Sequence, residues 1–135
     1  MNVREKYRDE FLEAPIATLN HSDERNLLGH QVCVCITPKG DAKATLVFAW
    51  EVARELAQWI ILEFPASAEF RFQIIVAWSQ HVRPQQGQIF KIWGLRDRMR
   101  LIARCSTYDE YVRESGDMQT PMRRWEKDVF QPKNA

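Results

Sequence analysis

The stretch QVCVCITPKGDAKATLVF, residues 31 to 48, decides how the rest of the chain is read. Its first six residues alternate Val32, Val34 and Ile36 with Cys33 and Cys35, and β-branched residues at a period of two favour a strand. PKGD then turns the chain. The segment after this turn has two readings. Thr45, Val47 and Phe48 suit the return strand of a hairpin, whereas the alanines, with Asp41 as an N-cap, suit the first turns of a long helix. The hairpin is the reading adopted, with Ala42 to Phe48 as its second strand.

Downstream, Trp50, Ala53, Ala57, Ile60 and Phe64 form one apolar stripe, widened by Leu56 and Ile61 and closed by Pro65, which predicts a central core helix from about Trp50 to Phe64. Within Ser67 to Ser79, Phe70, Phe72, Ile74, Val76 and Trp78 alternate with Glu69, Arg71 and Gln73. This predicts a half-exposed strand, although a helix ending before Pro84 competes. After the polar HVRPQQGQ, Gln88 to Trp93 alternates again and pairs with it as a second hairpin. Gly94 separates that strand from a helix over Leu95 to Cys105. Thr107 and Glu110 have the form of a capping box that starts a short helix ended by Gly116, and Thr120-Pro121 starts a last helix running to about Phe130.

Upstream, Val3, Tyr7, Phe11 and Leu12 recur at helical spacing, so Val3 to Glu13 reads as an amphipathic helix that Ala14-Pro15 ends. Asn20 to His30 reads as a polar connection. The order is α+β: a mostly antiparallel sheet built from two hairpins, packed with a central helix and C-terminal helices. A chain of 135 residues suits one core, so residues 1–135 are expected to form a single domain.

The chain is 45% hydrophobic and 27% charged, close to globular averages, which argues against disorder. The N-terminus is charged from Arg4 onward with no apolar h-region, so no secretory signal is expected. Lys43, Glu51, Arg54 and Glu55 interrupt the most apolar run, so no membrane span is expected either. Cys33, Cys35 and Cys105 are odd in number, and neighbours at i and i+2 are poorly placed for a disulfide, which points to a reduced compartment, by default the cytosol.

Net charge is +1 but unevenly divided. Residues 1–66 carry 7 Lys and Arg against 10 Asp and Glu, and residues 67–135 carry 12 against 8. An anionic partner would therefore be felt in the second half, although the excess is modest for a protein that holds duplex DNA by charge. The stretch GLRDRMRLIAR concentrates it. Leu95, Met99 and Ile102 predict a buried face, while Arg96, Arg100 and Arg104 at i, i+4 and i+8 share the outer one, with Arg98 around the helix from them. A guanidinium donates two parallel hydrogen bonds to a carboxylate or phosphate. With Arg83, Lys91 and Trp93, these arginines make the expected partner-binding surface. The plainer reading is a solvated helix face with Asp97 as a local partner.

The other readings rest on rings and soft ligands. Trp50, Trp59, Trp78, Trp93 and Trp125 are many for this length, and the alternative function is a small-molecule binder for a polar or cationic ligand. In it Trp50 and Trp59 wall a cleft, Glu51 or Glu63 receives the ligand, and His81 stands in the Gln-rich loop. Cys33-x-Cys35, even with His30 ahead of it and Cys105 remote, matches no zinc-knuckle spacing. Alternating cysteines in an apolar strand read as small hydrophobes, so neither a metal nor a cofactor is expected. His21, His30 and His81 stand in no nucleophile motif, and there is no phosphate-binding Gly-rich loop. The expected function is thus a non-enzymatic binding module that contacts another macromolecule through its basic second half. Direct nucleic-acid binding is possible but not favoured, and self-association as a homodimer fits the exposed aromatics and hairpin edge.

Overall fold

Residues 42–63 form one 22-residue helix, and this overturns the first expected hairpin. The computed structural model describes residues 2–17, 28–37, 40–65, 71–78 and 88–117. The helix starts where its cap is: Asp41 Oδ1 accepts from the backbone N–H of Ala44 at 2.8 Å, and Asp41 O accepts from Thr45 N at 3.0 Å. Thr45 and Ala49 are buried while Lys43, Ala44 and Val47 are exposed, so the period through this segment is that of a helix from its first turn. The β-prone Thr45, Val47 and Phe48 favour a strand locally; an N-cap and a continuous buried face outweigh them.

The elements run α1 (Val3–Lys6), β1 (Phe11–Ala17), β2 (Leu28–Ile36), α2 (Ala42–Glu63), β3 (Arg71–Trp78), β4 (Gln88–Gly94), α3 (Arg96–Arg104) and α4 (Tyr108–Ser115). The strands form one sheet in the order β1-β2-β3-β4. Because a helix, not a turn, joins β2 to β3, these two run parallel, with Val32 beside Ile74 and Val34 beside Val76. The outer pairs, β1 with β2 and β3 with β4, are antiparallel. The sheet is therefore mixed, and the α+β class stands with two hairpins flanking a βαβ crossover.

The N-terminal helix is also shorter than its sequence predicts. Helix α1 is four residues long, capped by Asn2, and Phe11 to Ala17 pairs with β2 instead of prolonging it. The i, i+4 spacing of Phe11 and Leu12 lost to non-local pairing: Phe11 lies beside Val34 and Glu13 beside Val32. Pro15 does not end the segment, because β1 is an edge strand where the missing N–H costs no ladder bond on the outer side.

Helix α2 packs on one face of the sheet. Its Trp50, Ala53, Leu56, Ala57 and Ile60 meet Val32, Val34 and Ile36 of β2, Phe72, Ile74 and Val76 of β3, and Phe90 and Ile92 of β4 in one continuous core. The expected stripe on this helix, and its stop at Phe64-Pro65, are both observed. Strand β3 is not half-exposed: Phe72 to Ala77 are all buried, as befits an interior strand. Strand β4 bends at a register shift by Val76 and Ala77, and Gly94 then turns the chain into α3. There a Cβ would lie 2.2 Å from Cβ of Arg98, so only glycine lets helix and strand approach this closely.

Helix α3 lies along α2, with Met99 and Ile102 in the core as its spacing predicts; Leu95 precedes the helix and stays 49% exposed. The expected capping box is met in one of its two bonds: Thr107 Oγ1 accepts from Glu110 N at 3.1 Å, while Glu110 Oε2 accepts from the N–H of Ser106, one residue before the cap; Gly116 ends α4 in the left-handed region at φ 73°. Tyr108 and Tyr111 of α4 close around Trp50, whose Nε1 donates to Cys105 O at 2.9 Å. No helix among the described residues is long and apolar enough to cross a membrane. The expected helix at Thr120 to Phe130 lies outside the described residues.

Candidate functional site

Each arginine of α3 meets a different environment. Arg96 turns toward the end of α2, where Nη1 donates to Ile61 O at 3.1 Å and Nη2 donates to Phe64 O and Pro65 O, both at 2.5 Å. The last carbonyls of a helix have no internal partner and carry the negative end of its dipole, so a guanidinium placed there caps α2 from outside. Arg98 donates to the Tyr111 hydroxyl at 3.2 Å and its guanidinium lies 5.9 Å from that ring's centre. Arg104 pairs with Glu114 at 3.0 Å. Arg100 is held loosely by Asp97 at 3.5 Å, both side chains mostly in water.

Tyr111 joins these contacts to α4. Its hydroxyl donates to Asp117 Oδ2 at 2.8 Å, and burial, with that carboxylate beside it, pushes its pKa up to about 12. Beside it, the Cys105 Sγ donates to the Glu114 carboxylate at 3.3 Å. Burial is the larger cause that raises this thiol to about 11, and the same hydrogen bond lowers the pKa of Glu114. These groups fasten α4 to α3.

Lys91 and Trp93 do not share a face with the α3 arginines. Phe90 and Ile92 point to the core under α2 and α3, so the alternating Lys91 and Trp93 project from the opposite face of the sheet. Both are exposed, Trp93 by 42%, and β4 is an edge strand. Leu95 follows at the corner between β4 and α3. Arg83 and His81, like His21 and Trp125, lie outside the described residues. The expected basic surface is thus divided by the sheet, with Lys91 and Trp93 on one side and Arg100 and Arg104 on the other.

Of the residues expected to bind a small molecule, Trp50 is at the centre of the core, and Glu51 and Glu63 are exposed on α2. Trp59 does wall a groove, of about 310 Å³, between α1 and α2, together with Asn2, Val3, Lys6, Glu55, Gln58 and Leu62. Leu62 is 86% exposed there. The groove's acid is already engaged: Glu55 accepts from Lys6 Nζ and from the Tyr7 hydroxyl, each at 2.6 Å. Burial, and then that carboxylate, push the Tyr7 phenol far above its usual range.

Behind the groove runs a second chain of polar groups. Arg4 lies over the Trp59 ring at 5.2 Å and pairs with Glu13, whose other oxygen meets His30 Nε2 at 2.6 Å. His30 in turn packs edge-on against Phe64. Sequence reasoning passed over Arg4, Glu13 and Glu55, because these pairs join residues 9 to 49 positions apart and leave no local spacing to read. Among the described residues, no three His, Cys, Asp or Glu side chains converge as metal ligands. Compared with protein-family models, with curated proteins and with solved structures, the chain finds no match in any of the three.

Proposed function

We propose that this chain is a binding module whose contact surface is the edge strand β4 and the corner after it, and whose partner is an acidic protein segment. The observation that carries this reading is the exposure of Trp93 and Leu95, 42% and 49%, on and just after a strand paired on one side only among the described residues. An unpaired strand edge offers backbone donors and acceptors to an extended segment, and a partly exposed tryptophan supplies an anchor. Lys91 is on the same side as Trp93, which favours a partner carrying carboxylates. Arg100 and Arg104 are exposed at the far side of the edge, each beside an acid, Asp97 and Glu114, with which a partner's carboxylates would compete, whereas Arg96 and Arg98 are spent on internal contacts.

The test is a quantitative pull-down from the source cells with wild-type chain, with Trp93→Ala plus Leu95→Ser, and with Arg100→Glu plus Arg104→Glu. The first variant is expected to lose its partners and the second to hold them more weakly with a reduced salt dependence. Undiminished capture by the Trp93 and Leu95 variant would overturn the assignment. Anisotropy with labelled DNA and RNA at low salt separates the nucleic-acid alternative, in which the arginine reversal and not the tryptophan change removes binding.

A second reading rests on the Trp59 groove. Its exposed Leu62 and the indole of Trp59 suit a small ligand with an apolar ring, held at its rim by Lys6 or Gln58. Native mass spectrometry of protein purified from its own cells checks this: a retained small molecule, absent from Trp59→Ala, supports it, and a clean mass for the wild type counts against it.

A further inference from the structure

On β2, Val32, Val34 and Ile36 are shut inside the core, whereas Cys33 and Cys35 are only half-buried on the other face. They are therefore not the packed hydrophobes their sequence pattern implies. The two thiols act on each other, and this drives the pKa of Cys33 upward and brings Cys35 down to about 7. Leu12 and Ile75 lie in register with Cys33, and Ala77 with Cys35. Glu10 lies beside Cys35: its backbone carbonyl accepts from Cys35 N at 3.4 Å, and its carboxylate acts on that thiol.

We propose that Cys33 and Cys35 bind a thiophilic d10 ion of the monovalent copper class, with the two sulfurs as its ligands across one face of β2. Residues i and i+2 of a strand are about 6.6 Å apart with parallel side chains. A disulfide needs Cβ atoms within about 4.5 Å, so direct closure would buckle the strand. An ion between the sulfurs adds two bonds of about 2.3 Å, a span that fits parallel side chains. Soft thiolates select soft ions, and a pair of sulfurs with Leu12, Ile75 and Ala77 in register beside it suits an ion that is content with two ligands. On binding, the ion forms one bond to each sulfur. The Cys33 proton leaves to solvent, as does the Cys35 proton in molecules where that thiol is not already ionised. The ion stays monovalent throughout, and the bound unit carries a net charge of −1.

The probe is Cu(I) supplied as its acetonitrile complex, without oxygen, in competition with a coloured Cu(I) chelator. One equivalent per chain is expected to leave the chelator, with affinity falling at least 100-fold in Cys33→Ser and in Cys35→Ser and staying within about threefold in Cys105→Ser. Circular dichroism shows whether the variants fold. If they do not, the wild-type chain alone decides: one equivalent of Cu(I) should slow iodoacetamide labelling of both Cys33 and Cys35 by tenfold or more, read by peptide mass. Equal affinity in the folded double variant Cys33→Ser and Cys35→Ser, or unslowed labelling of the pair in the wild type, overturns the proposal.

Discussion

Replacing Arg96 by Ala removes three hydrogen bonds from a charged donor and leaves the end of α2 without its external cap. Hydrogen bonds from charged groups contribute about 1.5–3 kcal/mol each and do not add, so a loss of about 2–3 kcal/mol in unfolding free energy is expected from denaturant melts. Arg96→Lys should recover only part, because an ammonium cannot span three carbonyls as the planar fork does. Arg100→Ala is the contrast. Its single pair with Asp97 is solvent-exposed, and the change should stay within about 0.5 kcal/mol. Equal effects at the two positions would contradict the capping role. Residues of the same type, four apart on one helix, thus differ in what they hold. Helical spacing in the sequence places them on one side of α3, but only the fold shows that the carbonyl of Ile61 in the last turn of α2, and those of Phe64 and Pro65 just after it, lie against the first of them. A binding test that mutates Arg96 along with Arg100 and Arg104 would confuse lost contact with lost stability.

Among the elements, α2 shows what could be read in the sequence and what could not. Its apolar stripe from Trp50 onward was legible because a 3.6-residue period sustained over residues 50–64 has no competing pattern. Its first two turns were not, since Thr45, Val47 and Phe48 satisfy either period over so short a span. Asp41 was the deciding signal, present in the sequence but outweighed by local β propensity. Asp41→Ala should therefore cost about 1 kcal/mol, as loss of an N-cap does, while Asp41→Asn should be nearly silent. At the far end of β4, Gly94→Ala places a methyl 2.2 Å from the Arg98 Cβ and must push α3 away from the strand. Overpacking of this kind costs about 1–3 kcal/mol. A melt of Gly94→Ala that matches the wild type would mean that the corner between β4 and α3 is looser than described.

At the level of the whole molecule, the mixed sheet follows from two misread segments: once residues 42–48 are helix, β2 and β3 run parallel, and once Phe11 to Ala17 is strand, β1 takes the place of the expected hairpin partner of β2. The second hairpin was legible as a pair, because Phe72, Ile74 and Val76 alternate with polar residues as far as Gln73 and Phe90 and Ile92 alternate with Lys91 and Trp93; the full burial of β3 and the register shift at Val76 and Ala77 were not. The candidate surface was legible only in part, since Lys91 and Trp93 could be placed on one face of β4 from alternation, but not on the opposite side of the sheet from α3. Three groups of this architecture, Tyr7, Cys105 and Tyr111, share one response to pH. Tyr111 is raised from 10.0 to about 12 and Cys105 from 9.0 to about 11, in both cases first by burial; Tyr7 is raised for the same reason. For such groups the native state holds its proton after the unfolded chain has released it. Their contribution to stability is complete below the unfolded pKa and is lost as pH rises through the folded one. The lowered Cys35 acts in the opposite sense and adds stability as pH rises from about 7 to 9, so the urea midpoint should not fall below pH 9 and should fall between about pH 9 and 12. Tyr111→Phe, which removes one of these protons, should have a lower midpoint at neutral pH, because the bonds to Arg98 and Asp117 are gone, but a shallower decline above pH 10. A wild-type midpoint that holds or rises to pH 11 would mean that these hydroxyl and thiol groups ionise in the native protein as readily as in the unfolded chain, and so are open to water in solution.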